Sequence, residues 1–245
     1  MDEYRLTPDG VQARPMTKAE RELLGVAEAK LLQLRVPALL VTPGDRLFIA
    51  AMDGTGNHRE RDASHQKTIV GRASAQMERL AHPAIAVAYM PGVGTQDDLL
   101  VSAVDSMRAT TFQARVEQLY LVFCEQSAAW LRQDPDARIH LAGIGFSRGA
   151  EAVAALQRTV HERGIRNPRG VAPEYDEFGL LERIAWADLP PLVPPGRTVQ
   201  AALLLDPVAT SLRGHDRRLP ASNVSTLQIT SLQEPRDHFP GTLHA

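Results

Sequence analysis

The sequence predicts an α/β fold: a mostly parallel sheet with helices on both faces. Three observations carry this. Apolar runs at 47–52, 84–89, 138–144 and 199–205 alternate with helix-forming stretches, the signature of strands joined by helical crossovers. Each run ends in a polar loop rich in glycine or carrying an aspartate. The third run enters Gly145-Phe146-Ser147-Arg148-Gly149, a G-x-S-x-G pattern, and an alanine-rich segment follows.

Taken in order, residues 1–16 form a polar lead-in. Thr17-Lys18-Ala19-Glu20 has the form of a capping box. It opens a helix to about Arg35 with Leu23, Ala27, Leu31 and Leu34 on one face. Pro37 ends it. Residues 1–45 are therefore expected to be a lead-in with an accessory helix laid against the main domain, 46–245. Leu47 to Met52 is a continuous apolar run, as a central strand requires. It leads into Asp53-Gly54-Thr55-Gly56-Asn57. A helix is expected over Thr68 to Leu80 and a strand over Ala84 to Tyr89, which runs into Pro91-Gly92-Val93-Gly94-Thr95. A long helix is expected from about Thr110 to Arg132, then the strand into the elbow and a helix over Ala150 to Val160. Residues 164–198 are proline-rich and too long for an ordinary connection. They read as an insertion or lid over the carboxyl ends of the strands, with a short helix at Leu180 to Ala187. Val199 to Leu205 and Ser225 to Ser231 are the last strands.

Composition narrows the function classes. Hydrophobic residues make up 44% and charged residues 23%, which is ordinary for a globular domain. The net charge of −2, from 27 basic and 29 acidic residues, gives no reason to expect a nucleic-acid partner. The single cysteine, Cys124, excludes an internal disulfide and reads as a small core residue. The start, Met1 to Arg5, has no apolar h-region, so synthesis in the cytoplasm without a secretory signal is expected. No run approaches 18 apolar residues. No His, Cys, Asp or Glu cluster has metal-ligand spacing, so neither metal nor cofactor is expected.

The chemistry centres on Ser147. A strand–turn–helix elbow lifts the serine hydroxyl above the sheet, and its flanking glycines avoid collisions with the neighbouring strand and helix. The helix start aims N–H groups at the same place. A rival reading is a dinucleotide turn, because Gly143-x-Gly145-x-x-x-Gly149 also resembles that fingerprint. The fingerprint ordinarily follows the first strand of its unit, whereas strands precede this one. Asp53, Gly92, Ser147 and Asp206 all follow predicted strands, so their loops should converge at one edge of the sheet. A serine nucleophile needs a base, and an acid to orient that base. Asp206 is the acid in the expected chain order; its bland reading is a turn residue before Pro207. His215, His238 and His244 lie downstream and qualify by order, while His58 adjoins the first loop. Asp53 reads either as the acid that holds the Gly54-Thr55 loop or as a metal ligand or phosphoryl acceptor. Position 51 is alanine, which breaks the D-x-D-G-T pattern, and loop organisation is favoured.

Met52 to Asn57 resembles an FDGTxN motif, Tyr89 to Thr95 resembles Y-x-PGVGT, and Gly145 to Ala150 matches GFSRGA. Leu205-Asp206-Pro207-Val208 and Leu232-Gln233-Glu234-Pro235-Arg236, with Phe239-Pro240 after it, are similar to the later elements of the same set. In this order they resemble the GFSRGA-containing, type VI secretion phospholipase effector-like α/β-hydrolases. The resemblance implies an α/β-hydrolase-like fold and a serine hydrolase cleaving acyl esters of lipids or phospholipids at a membrane surface. It also implies export as an effector, with secretion-machinery or immunity proteins as partners. It makes Ser147 the nucleophile and Asp206 the acid. Arg148, Gly54 and Thr55 are expected to form the oxyanion hole, with Asp53, Asn57 and Gly92 shaping the site. The family's histidine element, G-x-H-S-D-x-G-G, has no counterpart before Ala245. Three alternatives follow: a C-terminally truncated chain, His244 as the third member, or a degenerate scaffold serving a non-catalytic binding or interaction role.

Overall fold

The computed structural model describes residues 5–6, 12–13, 15–34, 36–92, 105–175, 181–208 and 218–231. Its centre is a five-stranded sheet of β3 (Asp45–Met52), β4 (Ile85–Met90), β5 (Arg138–Phe146), β8 (Val199–Leu205) and β9 (Asn223–Ile229), in the order β4-β3-β5-β8-β9. Every pairing in this sheet is parallel. Parallel strands need crossovers. Here α2 (Ile69–Arg79) links β3 to β4, α3 (Asp105–Gln133) links β4 to β5, and α4 (Arg148–Arg163) follows β5.

The helices cover both faces. Ala86, Ala88 and Met90 of β4 pack against the main core. Alternation along the strand turns Tyr89 to the other face, where its hydroxyl shares Asp53 with Thr68, the N-cap of α2. The main core joins Phe48 of β3, Leu141 of β5, Val153 and Leu156 of α4, and Leu119 and Phe123 of α3. Phe48 and Phe123 meet edge to face at 5.3 Å, a favoured ring geometry. Cys124 is fully buried in the same core, and burial pushes its thiol up to about 12.

At the amino edge, Asp45 ties β3 to β5. Its carboxylate accepts from the Val41 and Thr42 N–H groups at 2.8 and 2.6 Å. Arg138 Nε reaches it at 2.7 Å and His140 Nε2 at 3.1 Å. The Arg138 hydrogen bond, helped by the other three, holds this carboxyl well below the usual range.

Three expectations are corrected. The capping box of α1 (Lys18–Gln33) forms as predicted, with Thr17 Oγ1 accepting from Glu20 N–H and Glu20 answering Thr17 N–H. However, no residue of α1 is buried, and Leu23 and Leu31 remain about half exposed. Helix formation needed only local caps; docking needed an apolar partner surface. The helix expected at Leu180 to Ala187 is instead strand β7 (Leu181–Ala185), paired antiparallel with β6 (Ala172–Tyr175). Five helix-forming residues are too few to nucleate a helix. The hairpin gains ladder bonds, an Arg183–Glu174 ion pair at 2.5 Å and burial of Ile184. The described part of this insertion also does not lie over the carboxyl ends of the strands. It packs beside α3, where the Trp186 ring meets Tyr120 at a tilt of 50° with centroids 5.2 Å apart and the Tyr120 hydroxyl donates to Gly164 O at 2.9 Å. In the lead-in, β1 (Arg5–Leu6) and β2 (Gln12–Ala13) pair antiparallel.

Candidate active site

Ser147 is the turn between β5 and α4. Its backbone has φ 54 and ψ −123, and its hydroxyl does not cap the helix. A non-glycine residue in that region is strained. The surroundings hold it there. Ser147 N–H donates to Leu205 O at 2.9 Å, and Ser147 O accepts from Ala150 N–H at 3.0 Å and from Val208 N–H at 3.3 Å. The two pattern glycines are required by close approach. A Cβ on Gly149 would lie 2.2 Å from Met52 O of β3, and one on Gly145 would lie 2.5 Å from Ala150 Cα and Gly149 O. Strand β5 and helix α4 can meet at this angle only without those side chains.

The loop after β3 is organised by Asp53, which is 4% exposed. One carboxylate oxygen accepts from Gly54 N–H at 2.9 Å. The other accepts from Thr68 Oγ1 at 2.9 Å and the Tyr89 hydroxyl at 2.8 Å. Burial raises the Asp53 pKa, and these hydrogen bonds only partly oppose it. One oxygen thus holds the start of the Gly54-Thr55 loop, and the other ties it to the N-cap of α2 and to β4. Among the described residues no group of three His, Cys, Asp or Glu is placed to hold a metal ion.

Asn57 closes the same loop, its N–H and Nδ2 both donating to Gly54 O, at 3.0 and 3.2 Å. Gly92 N–H then donates to Asn57 O at 2.9 Å. A Cβ on Gly92 would come within 1.6 Å of Gly54 O, so the loops after β3 and β4 are locked together. Arg148 Nε reaches over to Thr55 Oγ1 at 2.5 Å. One oxyanion expectation changes. The Gly54 N–H, expected in the oxyanion hole, donates instead to Asp53.

Asp206 follows β8 with φ 44. Its N–H donates to Ile229 O at 2.6 Å, and its Oδ1 accepts from Ser231 N–H at 3.1 Å. Asp53, Gly92, Ser147 and Asp206 therefore all lie at the carboxyl edge of one sheet, in the loops after four adjacent strands. His215, His238 and His244, with Gly94 and Thr95, lie outside the described residues. Of the five described histidines, 58, 65, 82, 140 and 161, His58 faces Glu60 at 3.3 Å, His82 Nδ1 accepts from Ala84 N–H at 3.2 Å, His140 bonds Asp45, and His161 bonds Ser222 at 2.9 Å. Among the described residues none bonds Ser147 or Asp206. Sequence reasoning missed Thr68 and gave Tyr89 no role. Thr68 was visible only as a helix boundary, and Tyr89 only as a letter of a motif. No described helix is long and apolar enough to cross a membrane.

Comparison with known proteins adds two similarities. A crystal structure of an uncharacterized protein from Pseudomonas aeruginosa is similar at 16% identity and TM-score 0.47, over 80% of this chain and 37% of that one. The chain thus spans well under half the length of that protein. No curated protein matches. The family model described as "T6SS, Phospholipase effector Tle1-like, catalytic domain" matches residues 46–183, more than half of the chain and including the Asp53 loop and the Ser147 elbow. The chain belongs to the Tle1-like phospholipase effector family of the type VI secretion system, within its catalytic domain.

Proposed function

We propose that this chain is the catalytic unit of a serine esterase that cleaves acyl esters of phospholipids. The observation that carries the reading is the backbone of Ser147, held at φ 54 and ψ −123 at the carboxyl edge with its hydroxyl unused by the helix. Such strain persists only where surrounding structure over-determines it, and it concentrates at functional sites. Ser147 Oγ attacks the acyl carbonyl carbon and gives its proton to a histidine oriented by Asp206; His244 is the provisional candidate. The oxyanion is held by the N–H groups of Arg148 and Thr55, near the positive end of α4. The imidazolium returns its proton to the departing lysolipid alkoxide. Water, deprotonated by the same histidine, then hydrolyses the acyl-serine. Family membership supports a lipid substrate, export as an effector and an immunity protein as partner.

Hydrolysis of a short-chain p-nitrophenyl ester by the intact chain and by Ser147→Ala tests this reading. We expect turnover by the intact chain and its loss in the variant, by about 10⁴-fold or more. Unchanged turnover in Ser147→Ala would remove the nucleophile assignment.

A second reading, a non-catalytic interaction protein on the same scaffold, is supported by the histidines. Each one for which a side-chain contact is described is committed away from Ser147. A fluorophosphonate probe separates the two. Robust labelling that Ser147→Ala abolishes supports the enzyme, whereas an unlabelled, folded chain supports the interaction protein.

A further inference from the structure

The loop from Asp53 to Asn57 lies directly against the elbow. A Cβ on Gly54 would come within 2.7 Å of Cδ1 of Phe146, the residue before Ser147, and Arg148 of α4 reaches Thr55 through its Nε. Two bonds from the β4 segment hold this loop at its ends. At one end Gly92 N–H donates to Asn57 O at 2.9 Å. At the other the Tyr89 hydroxyl donates to Asp53 Oδ2 at 2.8 Å, while Asp53 Oδ1 takes the Gly54 N–H.

The direction of the Tyr89 bond follows from its second partner. A backbone N–H only donates, so the Tyr89 oxygen accepts from Arg59 N–H at 2.9 Å and its single proton is left for Asp53. Burial raises the Tyr89 pKa, which keeps that proton in place. The ring is braced as well. The Arg59 guanidinium sits 4.4 Å from the Tyr89 ring centroid, within cation–π range. Its Nη1 donates to Ser74 Oγ at 3.0 Å and to Glu78 Oε1 at 2.7 Å, both on α2. Gly71 of α2 leaves room for this, since a Cβ there would lie 2.9 Å from Arg59 Cβ. Tyr89 is thus fixed from the side of α2, and its hydroxyl passes that fixed position to the loop beside Ser147.

We propose that Tyr89, braced by Arg59, is a positioning residue for ester hydrolysis, acting through Asp53 to hold the Gly54-Thr55 loop against the Ser147 elbow. The inference rests on the esterase reading. Hydrolysis of the p-nitrophenyl ester is followed in the full chain, in Tyr89→Phe, in Asp53→Asn and in the double variant, with folding checked by circular dichroism. Tyr89→Phe removes one hydroxyl and keeps the ring. It lowers kcat by about tenfold, less than the roughly 10²–10³ lost with a whole oxyanion donor, and leaves KM within about twofold. In the Asp53→Asn background the same change costs under about twofold, because members of one hydrogen-bond network are coupled. A merely structural role would lower the melting temperature and leave the kcat of the folded protein alone.

An unchanged kcat in folded Tyr89→Phe overturns the proposal, and so do equal losses in both backgrounds. If Tyr89→Phe does not fold, Arg59→Gln takes its place: it removes the brace, keeps the backbone N–H and should also lower kcat, and an unchanged kcat there overturns the proposal instead. Absence of Ser147-dependent turnover in the parent would overturn the esterase reading itself, an outcome distinct from an active parent indifferent to Tyr89.

Discussion

The N–H of Ser147 donates to the carbonyl of Leu205 at 2.9 Å, so the elbow is bonded directly to the residue before Asp206. The serine's strained backbone and the acid's loop are one construction. Val208 N–H returns the contact to Ser147 O at 3.3 Å. Strain at Ser147 is therefore offset by bonds that only its neighbouring strand and the loop after it supply.

Ser147→Gly should separate strain from function. Glycine adopts φ 54 without the Cβ penalty, and a strained non-glycine residue costs on the order of 1–3 kcal/mol. After the extra unfolded-state entropy of glycine is subtracted, a net gain of about 1 kcal/mol remains. That corresponds to a thermal midpoint about 2–4 °C higher, with ester hydrolysis lost. Calorimetry and the p-nitrophenyl assay check both halves; a lower midpoint would contradict the strain assignment.

Gly149→Ala should be severely destabilising. Its methyl would meet Met52 O at 2.2 Å, and a backbone carbonyl in a central strand cannot rotate away. Overpacking of this kind costs about 3 kcal/mol or more. Urea denaturation should show the loss as a lower midpoint. A midpoint within experimental error of the parent would mean that α4 can slide away from β3.

Asp53→Asn should lower kcat more than it raises KM. The amide keeps the shape but presents N–H groups where three donors now converge, so the Gly54-Thr55 loop shifts. Loss of one oxyanion donor costs about 10²–10³ in kcat. Steady-state kinetics check this; an effect confined to KM would point to substrate binding instead.

Asp45→Asn should remove a pH-dependent part of stability. The folded Asp45 pKa lies below its ordinary value of 3.8. Its contribution is therefore fully present above that value and is lost as pH falls through and below it. The variant should melt about 4–8 °C lower at pH 7, for a cost of about 2 kcal/mol. Its deficit should shrink as pH falls below about 4. Thermal melts across pH 3 to 7 check the sign; a deficit that grows on acidification would refute it.

Much of the fold was legible because its determinants are local. The run Leu47 to Met52 is apolar without alternation, and only a strand covered on both faces has that need. The capping box at Thr17 and Glu20 forms within one turn of chain. The glycines at 145 and 149 mark a close approach that any elbow of this shape imposes. Chain order alone placed Asp53, Ser147 and Asp206 after strands, so a parallel sheet had to bring them to one edge.

What only the tertiary structure decided depends on partners distant in sequence. Leu181 to Ala185 has helical composition, yet its state was set by pairing with Ala172 to Tyr175 and by cover from α3. The apolar face of α1 is written in its sequence, but burial requires a second surface, and none of its residues is buried. The sequence does not show that the Asp53 carboxylate takes the N–H of Gly54. Sequence thus determined where each element and reactive side chain begins. Packing across the sheet decided which donors and charges were left for chemistry, because only three-dimensional neighbours can satisfy or strand a buried polar group.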